Sequence, residues 1–110
     1  MNHDFLELID EAHALNSKLF SLIRFQLMAN LEIFRDDGIT YRELKAALNL
    51  SDGVLYSNLQ TLASMGYVSV ATVKYENKDL QLFKITPEGL SEWKNVRSWL
   101  CKFLNCKKGE

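Results

Sequence analysis

The chain has 110 residues, of which 47% are hydrophobic and 11% aromatic, and its formal net charge is −1. This composition is typical of one small folded domain and excludes a disordered tail protein. The apolar runs are far shorter than the roughly 20 residues that cross a membrane, and the acidic start lacks the basic region of a secretory signal, so we expect a cytoplasmic protein.

The charge is unevenly distributed along the chain. Residues 1–16 contain four acids and no base, residues 17–85 contain eight bases and seven acids, and residues 86–110 contain five bases and three acids. The three segments therefore carry −4, +1 and +2, which sum to −1. Most nucleic-acid-binding domains have a basic surface. If this chain binds nucleic acid, it must do so with few cations in particular places.

Two helices are predicted in the first 38 residues. An N-terminal arm, residues 1–16, has Phe5, Leu8, Ile9, Ala12 and Leu15 at helical spacing. Ser17 is the expected N-cap of a second and stronger helix. Its apolar face would contain Leu19, Leu22, Ile23, Leu27, Leu31 and Phe34. The turn at residues 36–38 would end this helix.

A helix-turn-helix pattern comes next. Ile39 can form a brief strand, and Thr40 and Glu43 have the spacing of a capping box, so a helix should restart at Tyr41. A tight turn at residues 49–50 separates this helix from the following one. Two short helices joined by almost no linker are therefore predicted.

The second helix of this pair is predicted at 52–65, with Ser51 as its N-cap and Gly66 just beyond its end. Leu55, Leu59 and Leu62 would face inward. The opposite side carries Gly53, Ser57, Gln60, Thr61 and Ser64, with Val54 and Tyr56 on its flanks. This outward face is small, polar and uncharged.

A β-hairpin and a long helix complete the chain. "YVSVATVKY" and "LQLFKI" alternate with the period of strands around the polar turn "ENKD". Thr86 is a cap and Pro87 a first helical residue for the last helix. Its apolar stripe contains Leu90, Trp93, Val96, Leu100, Phe103 and Leu104.

The chain from Ser17 to about Phe103 resembles winged-helix transcriptional regulators of the MarR-like class. The resemblance rests on "TYRELKAALNLSDGVLYSNLQTLASMGYV", the hairpin that follows, and "ITPEGLSEW". "GVLYSNLQTL" is also similar to the PadR relatives. The family implies an α+β fold, a winged helix-turn-helix with an extra N-terminal helix and a long C-terminal helix. The single domain would then comprise the arm, a winged-helix core at 17–85 and a dimerisation helix at 86–110.

The resemblance implies a homodimeric DNA-binding transcriptional regulator that places helix 52–65 in the major groove of double-stranded DNA. The hairpin turn near Asn77 and Lys78 would contact the backbone or the minor groove. The predicted DNA-contacting residues are Thr40, Tyr41, Arg42, Lys45, Ser51, Gly53, Val54, Tyr56, Ser57, Asn58, Gln60, Thr61, Lys74, Lys78 and Lys84.

Relatives commonly carry Arg, His or Lys where this chain has Ser57, Asn58 and Gln60 or Thr61. Base reading does not require charge, because Asn and Gln can bond adenine and Val54 can contact a thymine methyl group. Phosphate binding does require it. The cations available for phosphates are Lys18, Arg24, Arg42, Lys45, Lys74, Lys78 and Lys84.

The same residues allow a second hypothesis, in which a winged-helix protein-interaction module has lost DNA binding. The polar helix face could simply be solvated, Tyr56 could pack on the hairpin, and Arg42 and Lys45 could pair with acids. The uncharged outward face and the acidic arm favour this alternative.

The aromatic C-terminal helix predicts a dimer interface formed with the first helix. Its expected residues are Phe5, Leu8, Ile9, Ala12, Trp93, Val96, Trp99, Leu100 and Phe103. Two other interpretations of the Trp93, Trp99 and Phe103 cluster are the wall of a pocket for an unknown small-molecule effector and ordinary core packing.

No catalytic motif is present: the chain has no Gly-rich phosphate loop, no HExxH and no nucleophile motif, so we do not expect an enzyme. Cys101 and Cys106 lack the spacing of a metal site, and we expect reduced thiols, with a sensor that also uses His3 or His13 as a remote alternative. We predict no cofactor and no metal.

Overall fold

The computed structural model describes residues 3–105, without the side chains of His3 and Asp4. The interpretations that concern the side chain of His3 and Cys106 lie outside the described residues. The elements are α1 His3–Ala12, α2 Leu22–Ile33, β1 Ile39–Thr40, α3 Tyr41–Leu48, α4 Asp52–Ser64, β2 Val68–Tyr75, β3 Lys78–Ile85 and α5 Pro87–Asn105. The strands form one antiparallel sheet in the order β1-β3-β2. The predicted α+β class is confirmed.

The start of α2 differs from the prediction. Ser17–Leu19 form a short 3-10 turn, and the N-cap is Ser21, whose hydroxyl accepts the backbone N–H of Arg24 at 3.1 Å. Because this turn interrupts the helical phase, Leu22 is 72% exposed, whereas Met28, outside the expected apolar face, is fully buried. The assignment of Ser17 as the cap was therefore wrong.

The helix-turn-helix forms as predicted. The Thr40 hydroxyl accepts the Glu43 backbone N–H at 3.2 Å, and the Glu43 carboxylate accepts the Thr40 N–H at 3.0 Å, which completes the capping box of α3. Asn49 adopts a left-handed conformation (φ 52°) that ends α3. The Ser51 hydroxyl then accepts the Val54 N–H at 3.3 Å and caps α4.

The inner side of α4 is fixed to the core by the three predicted leucines, Leu55, Leu59 and Leu62, which are all buried. Gly66 follows the helix with φ +78°. The Tyr67 N–H reaches the Leu62 carbonyl at 3.0 Å and the Gly66 N–H reaches the Ala63 carbonyl at 2.9 Å, the pattern of a Schellman cap. The chain is thereby directed from α4 straight into β2.

The hairpin β2–β3, which we call the wing, is longer than expected. Its turn contains only Glu76 and Asn77, both with positive φ (50° and 64°), as a two-residue type I′ turn requires. Lys78 and Asp79, assigned to the turn from the sequence, instead pair with β2. Phe83 of β3 also pairs with Ile39, which attaches the wing to the start of the helix-turn-helix.

The last helix, α5, begins at the predicted cap, where the Thr86 hydroxyl accepts the Gly89 N–H at 2.9 Å. Trp93 and Val96 are buried in the same core as the α4 leucines. The arm helix α1 packs on α5, where the Trp99 indole N–H donates to the Leu8 carbonyl at 2.8 Å. None of the helices within residues 3–105 is long and apolar enough to cross a membrane.

Candidate nucleic-acid interface

The outward side of α4 lies opposite its buried leucines. Gly53, Ser57, Gln60 and Ser64 are exposed and Thr61 is half-buried. The flanking side chains Val54 and Tyr56 are 39% and 58% exposed. The predicted orientation of this helix is therefore confirmed.

Several polar side chains of α4 are already bonded within the helix. The Asn58 amide donates to the Val54 carbonyl at 2.8 Å, and the Thr61 hydroxyl donates to the Ser57 carbonyl at 3.1 Å. The Ser64 hydroxyl donates to the carbonyl of Thr61 at 2.8 Å. These groups keep only part of their hydrogen-bonding capacity for a ligand.

Gln60 and Tyr56 form a pair on the exposed surface of α4. The Gln60 amide nitrogen donates to the Tyr56 hydroxyl at 2.7 Å. The two residues are four positions apart, so they are neighbours on the same helix face. The bond leaves Gln60 with its carbonyl oxygen and its second N–H, and the Tyr56 hydroxyl with its own proton.

A three-residue cluster joins α3 to the first turn of α4. The Lys45 ammonium lies 3.1 Å from one carboxylate oxygen of Asp52, and the Tyr41 hydroxyl donates to the other at 3.1 Å. Hydrogen bonds from Lys45 and then Tyr41, together with the Lys45 charge, hold the pKa of Asp52 below its ordinary value. Burial, and then the nearby Asp52 carboxylate, raise the pKa of Tyr41. Two predicted DNA-contacting residues, Tyr41 and Lys45, are thus engaged by an acid of the same surface.

Arg24 connects α2 to α4. Its Nε donates to the Asn58 carbonyl oxygen at 3.0 Å, and a terminal nitrogen donates to the backbone carbonyl of Lys18 at 2.6 Å. The amide of Asn58 is therefore bonded at both ends, to Arg24 and to the Val54 carbonyl. The sequence indicated Arg24 as a cation but gave no sign of this contact, which joins residues 34 positions apart.

Of the remaining predicted cations, Lys18 is exposed on the 3-10 turn before α2, and the others lie on α3 and the wing. Lys74 pairs with Asp79 at 3.1 Å, and both side chains are largely exposed. Within residues 3–105, Arg42, Lys78 and Lys84 make no ion pair with another described residue. Lys84 is half-buried on β3.

Arg42 and Lys78 line one groove between the start of α3 and the tip of the wing. Glu43 and Glu76 also line it, but the Glu43 carboxylate is occupied by the capping box. Tyr75, absent from the predicted site, lines the same groove and is 62% exposed. Its position beside the hairpin turn was the only sequence signal that could have indicated it.

The predicted dimer surface separates into buried and exposed residues. Leu8, Trp93 and Val96 are buried within one protomer, so a second copy cannot reach them directly. Phe5, Ala12, Trp99 and Leu100 are half-buried, and Ile9 and Phe103 are exposed. Leu6 and Leu104, both exposed, extend the apolar character of the same two helices.

A small groove lies between α1 and α5. Its lining residues are Glu11, Leu15, Asn95, Ser98, Trp99 and Lys102, and its volume is about 180 Å³. Pockets for drug-sized ligands usually measure about 300 to 1,000 Å³. Within one protomer, the groove suits only a small effector.

The chain was compared with known families and structures. The family model for a winged helix DNA-binding domain matches residues 23–104. No curated protein sequence matches the chain.

Three solved structures show the same fold. The transcriptional regulator homologue protein from Pyrococcus horikoshii OT3 is 20% identical, with a TM-score of 0.79 over 97% of this chain and 99% of that chain. The S. aureus MepR–DNA complex is 13% identical, with a TM-score of 0.65 over 96% and 83%. A PadR-like transcription factor from Bacteroides fragilis is 14% identical, with a TM-score of 0.62 over 81% and 94%. The predicted resemblance to regulators of these kinds is confirmed.

Proposed function

The chain belongs to the family of winged helix DNA-binding domains, and on that premise we propose that it is a homodimeric transcriptional regulator acting in the cytoplasm. Helix α4 enters the major groove of double-stranded DNA, and the wing contacts the backbone or the minor groove. A two-fold dimer would present two copies of α4 to half-sites about one helical turn apart.

The orientation of α4 is the observation that carries the proposal. Leu55, Leu59 and Leu62 fix one side of the helix in the core, and the opposite side is exposed except for the half-buried Thr61. The centre of that side contains only small residues, Gly53 and Ser57. A helix of this kind fits the width of the B-DNA major groove.

Phosphate contacts would come from the cations that no acid neutralises. Arg42 and Lys78 share the groove between α3 and the wing tip, and Lys84 lies further along β3. With three such residues in each of two subunits, the dimer would neutralise roughly six phosphates. A plot of the logarithm of affinity against the logarithm of salt concentration should then have a slope of about −5. This salt dependence is moderate for a DNA-binding dimer.

The dimer would be formed by α1 and the C-terminal half of α5. The apolar side chains of Phe5, Ile9, Ala12, Leu100 and Phe103 would meet the second copy, together with Trp99. The buried residues Leu8, Trp93 and Val96 would support this surface from inside. Exposed apolar side chains concentrated on two packed helices are typical of protein–protein contact sites.

A protein-interaction module remains a second candidate because acids neutralise two of the predicted DNA-binding cations. Lys45 pairs with Asp52, and Lys74 pairs with Asp79. On this hypothesis the winged-helix scaffold is retained and the outward side of α4 binds a protein.

A titration of the full chain with a pool of random-sequence duplexes distinguishes the two candidates. The DNA-binding proposal predicts binding at about 50 mM salt that weakens steeply by about 200 mM. Absence of binding at the lower salt concentration would reject the DNA-binding function and leave the interaction module.

A further inference from the structure

The outward side of α4 lacks the charged groups that read a G·C pair most specifically, although its Ser and Thr hydroxyls can bond either kind of pair. Guanine presents two acceptors in the major groove, which Arg or Lys bonds best, and no residue of α4 is Arg or Lys. Cytosine presents an amino group, which Asp or Glu accepts. The single acid of α4, Asp52, already accepts from Tyr41 and pairs with Lys45.

Two cations that contact α4 are already engaged, and Arg42 of α3, which makes no ion pair with another described residue, lies in the groove at the wing tip that we assign to phosphate contact. Arg24, which reaches α4 from α2, uses its guanidinium on Asn58 and on the Lys18 carbonyl. Lys45, on α3, is held by Asp52. Neither side chain is free to extend to a guanine in front of α4.

The exposed groups of α4 instead match an A·T pair. Val54 presents an exposed apolar side chain, which is the partner that a thymine methyl group requires. Gln60 retains its carbonyl oxygen and one N–H after donating to Tyr56. An amide needs that one acceptor and that one donor to bond adenine N6 and N7 together.

Asn58, which the sequence also assigned to base contact, is not available for this role. It is half-buried, its carbonyl oxygen accepts from Arg24, and its nitrogen donates to the Val54 carbonyl. We therefore assign adenine recognition to Gln60. Asn58 instead stabilises the side of α4 that carries Val54, through its hydrogen bonds with Arg24 and with the Val54 carbonyl.

From this distribution of groups, and resting on the proposed function, we infer that α4 selects A·T pairs, with Val54 on a thymine methyl group and Gln60 on an adjacent adenine. The small residues at the centre of the face allow α4 to approach the bases as closely as these contacts require. At Gly53 no other part of the protein occupies the space in front of the helix, because an added Cβ would meet nothing within 4 Å. Val54 lies on a flank of the outward face and Gln60 lies within that face, six positions further along α4, so the two residues would read different base pairs of one half-site.

The test begins with selection of bound duplexes from a random pool by the full-length protein at about 50 mM salt. The selected half-sites are expected to have A·T pairs at the positions most strongly enriched. Enrichment of G·C pairs at those positions would overturn the inference and leave the proposed DNA binding intact. Absence of any bound duplex would overturn both.

Modified duplexes then separate base contact from DNA shape. Replacing one enriched thymine by uracil, which removes only the methyl group, is expected to weaken wild-type binding several-fold, and Val54→Ala should be less sensitive to the replacement because its side chain is shorter. Val70→Ala, which truncates a comparably exposed valine on β2, should stay as sensitive as the wild type. Equal sensitivity of both variants would overturn the assignment of Val54.

The matching experiment for Gln60 uses 7-deazaadenine, which lacks the N7 acceptor. Loss of one of the two bonds of the bidentate contact predicts several-fold weaker binding of the wild type and little change in Gln60→Ala. Gln26→Ala, at an exposed glutamine of α2, is the control and should respond as the wild type does. A response of Gln60→Ala equal to that of the control would overturn the adenine contact.

Discussion

The ammonium of Lys45 lies 3.1 Å from the carboxylate of Asp52, across the turn of the helix-turn-helix. This pair places a negative charge at the start of α4, where the backbone N–H groups would otherwise attract a phosphate. The Asp52 carboxylate also pairs with Lys45 of the preceding helix, α3, so this cation is engaged within the protein. If this surface binds DNA as we propose, Asp52 limits its affinity in two ways.

Removal of this acid should strengthen DNA binding. Asp52→Asn eliminates the charge that repels phosphate and releases Lys45, so a dimer gains two cations. We expect higher affinity and a salt slope steeper by about 2. Fluorescence anisotropy over a range of salt concentrations measures both quantities. Asp79→Asn, which releases the predicted phosphate contact Lys74 on the wing, is a second test and should steepen the slope in the same way. An Asp52→Asn slope equal to that of the wild type would show that Lys45 does not reach a phosphate.

Because the pKa of the Asp52 carboxylate is lowered in the folded protein, we expect the stability of the fold to depend on pH. The pKa of Asp52 in the folded protein lies below the ordinary value of 3.8, chiefly because Lys45 hydrogen-bonds to it. The folded protein therefore binds this proton less tightly than the unfolded chain does. The resulting stabilisation is fully present above the ordinary pKa and is lost as the pH falls through 3.8 and then through the lowered value.

Urea unfolding of the wild type and Asp52→Asn at a series of pH values measures this effect. The difference between their free energies of unfolding should be constant near neutral pH and should shrink once the pH falls below about 4. A difference that does not change with pH would mean that the Lys45–Asp52 contact contributes nothing in solution.

Alanine substitutions at two helical glycines, Gly89 in α5 and Gly53 in α4, test how closely α5 packs against Tyr67. A Cβ at Gly89 would lie only 2.2 Å from the Tyr67 carbonyl oxygen, so Gly89→Ala should destabilise the fold by about 1–3 kcal/mol. The same change at Gly53, where a Cβ meets nothing within 4 Å, should stabilise α4 by up to about 1 kcal/mol. Chemical denaturation compares the two variants, and equal effects would contradict the close contact between α5 and residue 67.

Two exposed isoleucines test the proposed dimer surface. Ile9, on α1, is 46% exposed within that surface, and Ile33, at the end of α2, is 74% exposed outside it. A two-fold interface contains each residue twice, so Ile9→Ser should raise the dimer dissociation constant by roughly 10- to 100-fold. Ile33→Ser should leave it unchanged. Sedimentation velocity over a range of protein concentrations gives both values, and identical behaviour of the two variants would remove α1 from the interface.

Local sequence signals predicted the parts of the fold that local contacts determine. The capping box at Thr40 and Glu43, the cap at Ser51 and the glycine after α4 each satisfy backbone groups within a few residues. The order of elements and the inward side of α4 could therefore be predicted. Each of these features depends on residues that are close together in the sequence, so a local pattern encodes it.

Long-range contacts decided two of the features that the sequence did not predict, the N-cap of α2 and the Arg24–Asn58 bond. The N-cap of α2 is Ser21 and not the predicted Ser17, because long-range bonds fix the 3-10 turn that precedes this helix. In these bonds the backbone N–H of Asn16 donates to the Glu92 carboxylate, and its side-chain amide donates to the Tyr67 hydroxyl. The Arg24–Asn58 bond likewise joins separate helices. Such bonds depend on how elements pack together, and no local pattern in the sequence encodes them.

The most direct test of DNA binding by α4 is the change Ser57→Arg at the centre of its outward face. The exposed Ser91 of α5 lies outside both proposed surfaces, and Ser91→Arg adds the same charge there. Affinity for a selected duplex should increase for Ser57→Arg, with a salt slope steeper by about 2 for the dimer and a changed base preference, and should hardly change for Ser91→Arg. Equal affinities and equal base preferences for the two variants would contradict the placement of α4 in the major groove.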